Sequence, residues 1–471
     1  AARGLPSFGE LLDQVKGWHE QNRDDLKEYK MTVVAAEKAE EKDLIEGIFK
    51  AFDSENGGFG NGTKFPPHTT LLFLLSYFEE TRDERAQKIL EKTLDAMALG
   101  GLHDHLQGGF YRYTVDSKWQ IPHFEKMLYD QAMHLWVYSL AVRLLKKDLY
   151  KEVVAQLIRS LKETFEIDGL FAAGHDADTE HEEGVTYTWK AEDLAGLENV
   201  YEIPEGGNFE GRIHLMKKVE AERSEAEEKL LKIRKGKVQP FRDDKILTSW
   251  NALIGMGLLM AYRFAEIEEA KVMATKLFEK LLATHYKNGK LLHSSLHGEG
   301  EGREFLEDYA ALLLFATAMF EETFEGKELL TELLEKVESF KKNDRWVYNK
   351  RSEDFESTPA SQFDHPVPSS VSLAEMAVYR ARTVTENKIV GEPAPEYSVP
   401  LRSDFHNLYV YLKTFASHDL HLKERIEWKD LPVNSLITHG AMYLDCYNKM
   451  CKMFKTKEDL LTFFASKTSP Q

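Results

Sequence analysis

The stretch "WQIPHFEKMLYDQA", residues 119–132, carries the question on which the fold depends. It reads as the start of a helix, with Pro122 in a first turn where a missing backbone N–H costs nothing, and an apolar run behind it. Yet His123, Glu125, Lys126, Tyr129, Asp130 and Gln131 can all ionise or hydrogen-bond. At roughly 100° per residue, His123, Lys126, Asp130 and His134 share an arc of about 80°, and Phe124, Leu128, Ala132, Leu135 and Trp136 cover the rest. Buried charge without a partner is costly, so this stripe has to face water or partners. A helix apolar on its other sides meets that demand on the inner wall of a hollow ring.

The same plan recurs along the chain. "EKDLIEGIFKAF" (41–52) runs into "DSENGGFGNG", and "RAQKILEKTLDAMA" (85–98) into "LGGLHDHLQGGFYRYTVD". "VVAQLIRSLKETF" (153–165) runs into "EIDGLFAAGHDADTE", "KVMATKLFEKLLATHY" (271–286) into "KNGKLLHSS", and "KELLTELLEKVESFK" (327–341) into "KNDRWVYNKR". Each helix stops at Gly, Asn or Asp, and glycine there is expected as a left-handed helix cap. Where clearest, the spacing is on the order of 50–60 residues, two helices plus connections. Repeats of that kind bury their apolar faces on their neighbours. Long bends rich in Gly, His, Asp and aromatics, with inner helices apolar almost all round, predict closure into an all-α (α/α) barrel with short β-hairpins and long loops at one mouth.

Composition narrows the function. Asp plus Glu number 79 against 61 Lys plus Arg, a net charge of −18 that repels phosphate backbones and anionic membranes, so no nucleic-acid partner is expected. No apolar run approaches the roughly 20 residues that span a bilayer, and no membrane partner is expected either. The basic "KLLKIRKGKVQPFR" (229–242) follows the acidic "EAERSEAEE" and reads as a solvated charged helix, an excursion around 210–240. Two cysteines, Cys446 and Cys451, exclude a disulfide framework and point to a reducing, cytoplasmic setting. The start, Ala-Ala-Arg, has no signal-peptide pattern and is expected to be a trimmed boundary.

Residues 100–132 are the densest in chemistry: His103, Asp104, His105, Arg112, Tyr113, Asp116, Trp119, His123, Glu125, Lys126, Tyr129 and Asp130. Carboxylates and guanidinium bind hydroxyls, aromatic faces stack on a pyranose, and His or Asp moves protons, so the cluster suits a sugar. "GHDADTEHEEG" adds His175, Asp176 and Asp178; "RDDKILTSWN" adds Asp244, Trp250 and Asn251; "LEDYAALLL" adds Glu307, Asp308 and Tyr309. Capping of the following helix competes with function at each of these.

Sharper motifs fail. No His or Cys spacing matches a zinc pattern, so no metal is assigned. "DSENGGFGNGTK" (53–64) begins like a calcium loop, but Lys64 stands where a glutamate is required. "GEGEGRE" (298–304) lacks the strand a phosphate loop needs. There is no G-x-S-x-G elbow, and both cysteines lie on an apparent helix without a glycine turn. No cofactor is expected.

"GGFGNGTKFPPHTTLLFL", "HDHLQGGFYRYTVDSKWQIPHFEKMLYDQA", "AAGHDADTEHEEGVTYTW", "DDKILTSWNALI" and "LEDYAALL" together resemble the YyaL and spermatogenesis-associated protein 20 family, over roughly residues 5 to 380. The resemblance implies a thioredoxin-like domain joined to a helical domain similar to six-hairpin glycosidases and N-acylglucosamine 2-epimerases, which are (α/α)6 barrels. It implies further that residues 1–36 are a helical segment following a missing thioredoxin-like domain, itself a possible partner, and that 37–471 are the barrel. The family's Gly-Asn pair before a late inner helix is replaced by "HPVPSSVSLAEM" (365–376), with Ser369 and Ser370 nearby.

The expected function is a carbohydrate-active enzyme. As a glycosidase it would draw acid and base from Asp104, Asp116, Asp176, Asp178 or Asp244. As an epimerase or isomerase it would use His103, His105, His123 or His175, with Arg112, Tyr113, Glu125, Lys126, Tyr129, Asp130, Asn251, Glu307, Asp308 and Tyr309 holding substrate and Trp119 or Trp250 stacking on it. The alternative is a non-catalytic ligand-binding or scaffold domain.

Overall fold

The computed structural model describes residues 16–17, 41–221, 224–343, 345–350, 357–361, 363–364, 366–386, 418–447 and 450–468. Apart from residues 16–17, the expected 1–36 segment lies outside them. In chain order the helices are α1 (Glu41–Ala51), α2 (His68–Thr81), α3 (Glu84–Leu99), α4 (Leu128–Leu145), α5 (Asp148–Ser160) and α6 (Glu225–Lys235). They continue as α7 (Thr248–Ala265), α8 (Glu268–His285), α9 (Leu306–Thr323), α10 (Lys327–Glu338), α11 (Ser370–Glu386) and α12 (Lys457–Thr468).

The fold is the all-α (α/α)6 barrel. Helices α2, α4, α7, α9 and α11 bury nearly all of their residues and pack side by side in that order as the inner layer. Helices α3, α5, α8 and α10 bury one stripe each and lie outside. His68 at the head of α2 meets the Pro366 carbonyl just before α11 (Nδ1–O 3.3 Å), bringing the two ends of the series together at one mouth.

Two repeated devices set this geometry. At the base, α2, α4, α7 and α9 each end on a left-handed residue before the outer partner: Arg82, Lys146, Glu266 and Phe324, with φ of 55°, 56°, 57° and 58°. None is glycine. The glycine bends lie at the opposite end and are hairpin turns, which corrects the expectation of helix caps. Asp168-Gly169 joins Glu166–Ile167 to Leu170–Phe171, and Asn288-Gly289 joins Tyr286–Lys287 to Lys290–Leu291, with all four turn residues at positive φ. Two successive positive φ angles define the turn that matches strand twist, hence Asp-Gly and Asn-Gly.

The second device holds those segments in register. The fourth residue of an inner helix reaches back to the backbone beside it. Gln131 in α4 accepts from Phe110 N–H (2.8 Å) and donates to Phe110 C=O (2.7 Å). Asn251 in α7 does the same to Phe171 (2.8 and 3.0 Å), and the Tyr309 hydroxyl in α9 accepts from Leu291 N–H (3.0 Å). Asn251 and Tyr309, expected to hold substrate, are therefore clamps.

The opening stretch departs from its reading. Helix α4 begins at Leu128, and Pro122 sits in a strand. Tyr113–Thr114 (β1) pairs with Pro122–His123 (β2), and Lys126–Met127 (β3) pairs with Gly174–His175 (β4), which pairs with Arg242–Asp243 (β5). Of the expected stripe, Asp130 and His134 lie on the helix. Lys126 turns away to Asp104 (2.6 Å).

In the calcium-like loop the Lys64 ammonium, fully buried, bonds Asp53 Oδ2 (2.6 Å) and Gly57 C=O (2.7 Å). The protein supplies its own cation there. Burial works against the Asp53 charge, but Lys64 and Asn56 hold that carboxyl at about 2.

Residues 418–454 form a four-stranded sheet where barrel helix was expected: His418–Leu422 (β6), Ser435–His439 (β7), Tyr443–Tyr447 (β8) and Met450–Phe454 (β9), in the order β7-β6-β8-β9 with β6 and β7 parallel. Cys446 and Cys451 face each other across β8 and β9 as a disulfide, so neither lies on a helix and they are not free thiols. The sheet fastens to the base: Val433 N–H donates to Glu79 of α2 (2.9 Å), and Arg380 of α11 donates to the Ser435 carbonyl (3.1 Å). Arg263 of α7 bonds Glu321 and Glu322 of α9 and lies 3.7 Å from the Trp428 ring.

Replacing a clamp leaves two buried backbone groups without partners. Asn251→Leu is expected to lower unfolding stability by about 2–4 kcal/mol, measured by denaturant titration; an unchanged midpoint would show that the clamp carries no weight.

Candidate active site at the barrel mouth

The inner helices all present their N-termini to the mouth, and their first turns carry Tyr129 and Asp130 (α4), Ser249 and Trp250 (α7), and Glu307 and Asp308 (α9). The segments held by the clamps add a second ring. Two residues past the clamped Phe110, Phe171 and Leu291 stand Arg112, Ala173 and His293. His293 C=O caps α7 through Thr248 N–H (3.0 Å), as Ala173 caps α4 through Leu128 N–H (2.9 Å) and Tyr348 caps α9 through Leu306 N–H (2.8 Å). Ala173, His293 and Tyr348 thus lie directly over the starts of α4, α7 and α9.

On the α4 side, Arg112 Nη1 donates to Glu125 Oε2 (2.8 Å), and the Tyr129 ring meets Trp250 edge-on at 4.8 Å. His123 stacks on Tyr113 (5.1 Å), and its Nδ1 lies 2.7 Å from Glu183. Asp130 is fully buried and neither carboxylate oxygen has a partner among the described residues. Burial drives its pKa well up, opposed by Arg112 and reinforced by Glu125.

On the α9 side, His293 Nδ1 lies 2.8 Å from Asp308 Oδ2, and Ser249 N–H donates to Asp308 Oδ1 (3.1 Å). A proton on Nδ1 directed at Asp308 makes Nε2 the basic nitrogen. Beside it, burial and the Asp308 charge push Glu307 up to about 7, and the Tyr348 hydroxyl donates to it (3.2 Å). Trp250 and Ser249 are neighbours on α7, so this one helix start touches both groups.

Several sequence candidates are placed elsewhere. Asp104 is buried under Lys126 (2.6 Å) and Arg234 (Nη1 2.6 Å), and so anchors α6, which buries Leu230 and Leu231 and is not merely solvated. His103 and His105 bond the Ala98 and Gly100 carbonyls (3.1 and 2.9 Å). Asp116 accepts the N–H groups of Lys118, Gln120 and Ile121 and braces its own turn. Trp119 is fully buried, with Nε1 on the Gly57 carbonyl (3.2 Å), and cannot stack on a ligand at the mouth. Asp176 and Asp178 lie together on an exposed turn. Lys126, His175 and Asp244 line a different cavity.

Sequence reasoning missed His293, Tyr348, Glu183 and Asp364. Asp364 is a buried carboxyl at the head of α11, pushed up to about 7 by burial, that accepts from Ser369 N–H and the Ser372 hydroxyl. The repeat register, counting two residues past each clamped position, would have found His293.

These features define a class: an (α/α)6 barrel with titratable groups gathered at the open ends of its inner helices. No family model matches the chain. Uncharacterized protein B0495.5 of Caenorhabditis elegans is 28% identical over 470 residues, covering 83% of this chain and 64% of that one. Spermatogenesis-associated protein 20 of Mus musculus is 29% identical over 351 residues, covering 60% of this chain and 44% of that one. The chain thus spans less than two thirds of the length of these relatives. Their similarity agrees with the resemblance carried by the motifs. Among solved structures, D-mannose isomerase superposes with a TM-score of 0.52 over 79% of this chain and 95% of that one, at 9% identity. A cellobiose 2-epimerase from Spirochaeta thermophila DSM 6192 gives 0.51 over 79% and 80%, at 10% identity. That likeness is one of fold.

The buried histidines tie stability to pH. Burial holds His103 and His175 at about 3 and His214 at about 4, against 6.5 in an unfolded chain. Folded pKa values below the unfolded one mean that their contribution is complete above pH 6.5 and is lost as pH falls from there toward 4. Each histidine is expected to cost about 1.4 kcal/mol per pH unit in that window. Chemical denaturation between pH 7 and 4.5 checks this; a flat profile would contradict it.

Proposed function

We propose that the mouth is the active site of a carbohydrate-active enzyme that moves a proton on a sugar, in the manner of an epimerase or isomerase. The observation that carries this reading is the His293–Asp308–Glu307 group: a carboxylate-oriented imidazole beside a carboxyl that changes charge near pH 7. Two titratable groups with opposite roles at one pH are what acid–base catalysis needs. The isomerase and epimerase folds noted above support the same class, as does the preference of Arg112, Glu125 and Trp250 for hydroxyls and sugar faces.

In this reading His293 Nε2 removes the proton from the carbon next to the open-chain sugar's carbonyl. The C–H electron pair moves into the new carbon–carbon bond, and the carbonyl electrons collect on oxygen, which takes a proton from Glu307 or Asp130. Returning a proton to the same carbon from His123, the second carboxylate-paired imidazole, while the former carbonyl oxygen gives its proton back to the ionised carboxylate, inverts that centre; protonating the former carbonyl carbon instead, while the neighbouring hydroxyl gives its proton to that carboxylate and becomes the new carbonyl, isomerises the sugar. Arg112 and Glu125 hold hydroxyls, and Trp250 covers one face. A small sugar is the partner this requires.

Aldoses and reducing disaccharides incubated in D2O are expected to take up deuterium at the carbon beside the carbonyl, read by NMR. His293→Ala is expected to lower exchange by about 10²–10⁴-fold with little change in stability. With Glu307 as acid, the rate is expected to fall as pH rises through about 7. Absence of exchange across the panel, or full activity of His293→Ala, would overturn the proposal.

A further inference from the structure

The motifs around His175 and Arg242 are not used by the mouth, yet they build a second cavity, of about 600 Å³. Its floor is the small sheet β3-β4-β5. The register sets Lys126 opposite His175, and His175 opposite Arg242, so three nitrogen bases form one cross-strand row. None of Arg112, Glu125, Tyr129, Asp130, Trp250 or His293 lines this cavity.

Its polar groups are under-matched. His175 Nε2 lies 3.1 Å from the Thr164 carbonyl, which fixes the ring proton there and leaves Nδ1, a buried atom, with no partner among the described residues. The Gln107 amide also lines the cavity; the residue is only 9% exposed, and its side chain makes no hydrogen bond to the described residues. The charges are unequal as well. Lys126 and Arg234 share the single carboxylate of Asp104, while Arg242 has Asp244 (2.6 Å) and Lys235 has Glu163 (2.8 Å). Four cations thus stand on three carboxylates, in a chain whose net charge is −18. Burial, with Arg234 nearby, draws Lys126 down to about 8 against the pull of Asp104. At the rim, Phe241 is 71% exposed between the lining residues Pro240 and Arg242 and offers an apolar face.

We propose that this cavity binds a small hydroxylated organic anion, whose carboxylate or phosphate meets Arg242 and Lys235 and whose hydroxyls meet Gln107 and His175 Nδ1. Arg242 and Lys235, part-exposed at the cavity with one carboxylate each, present the charge an anion meets; the acceptor nitrogen and the amide select hydroxyls over a bare ion. The site stands independently of the chemistry proposed for the mouth.

Thermal shift and calorimetry with D-gluconate, the phosphate ester glycerol 3-phosphate and neutral sorbitol, at matched ionic strength, test it on the whole chain. Gluconate or glycerol 3-phosphate is expected to raise the melting temperature and sorbitol to leave it unchanged. A response to gluconate marks a carboxylate ligand and a response to glycerol 3-phosphate a phosphate ester. Arg242→Gln and Gln107→Leu, each folded by circular dichroism, are expected to weaken binding at least tenfold, and His293→Ala to leave it intact. No shift with either anion, a shift that survives both cavity variants, or one lost in His293→Ala would overturn the proposal.

Discussion

The hydrogen bonds from Gln131, Asn251 and Tyr309 to the neighbouring backbone are the constraint on which the mouth depends. An inner helix packed on all sides can slide or rotate along its axis at modest cost, because apolar contacts are not directional. An amide that grips both the N–H and the C=O of one residue allows neither motion. Each clamp fixes a connecting segment to a helix start, and two positions past Phe171 and Leu291 the chain caps the start of the preceding inner helix through Ala173 and His293. Arg112 and His293 owe their positions to this register.

The base answers a different demand. Glu79, Glu321, Glu322, Arg263 and Arg380 lie at the ends of inner helices, and the C-terminal sheet covers them. Arg263 and Arg380 are themselves buried, so each must meet a carboxylate. One end is pinned by ion pairs, and the candidate site lies at the other. No helix among the described residues is long and apolar enough to cross a membrane.

The barrel was legible in the sequence because its inner helices are apolar on every face and recur with a period. Short hairpins at one mouth were expected, but the Asp-Gly and Asn-Gly bends were read as helix caps and not as the turns of those hairpins, because a glycine after a helix has two readings. The opening stretch misled through Pro122, which a helix start and a short strand accept equally. Residues 418–454 were missed because strands of five residues alternate too briefly to outweigh the helical pattern before them. At the site, Arg112, Glu125, Tyr129, Asp130, Trp250, Glu307 and Asp308 were named from their chemistry. His103, Asp104 and Trp119 were named on the same ground and turned out to hold the wall together. Residue type alone does not separate a buried tether from a working group; the partner does, and partners such as Arg234 lie more than a hundred residues away in the chain.

A crystal structure of the chain with a bound aldose tests the central claim most directly. The account predicts sugar oxygens within hydrogen-bonding distance of Arg112 and of His293 at once, with a ring face against Trp250. A sugar seated elsewhere, with the mouth closed or filled by side chains, would contradict it.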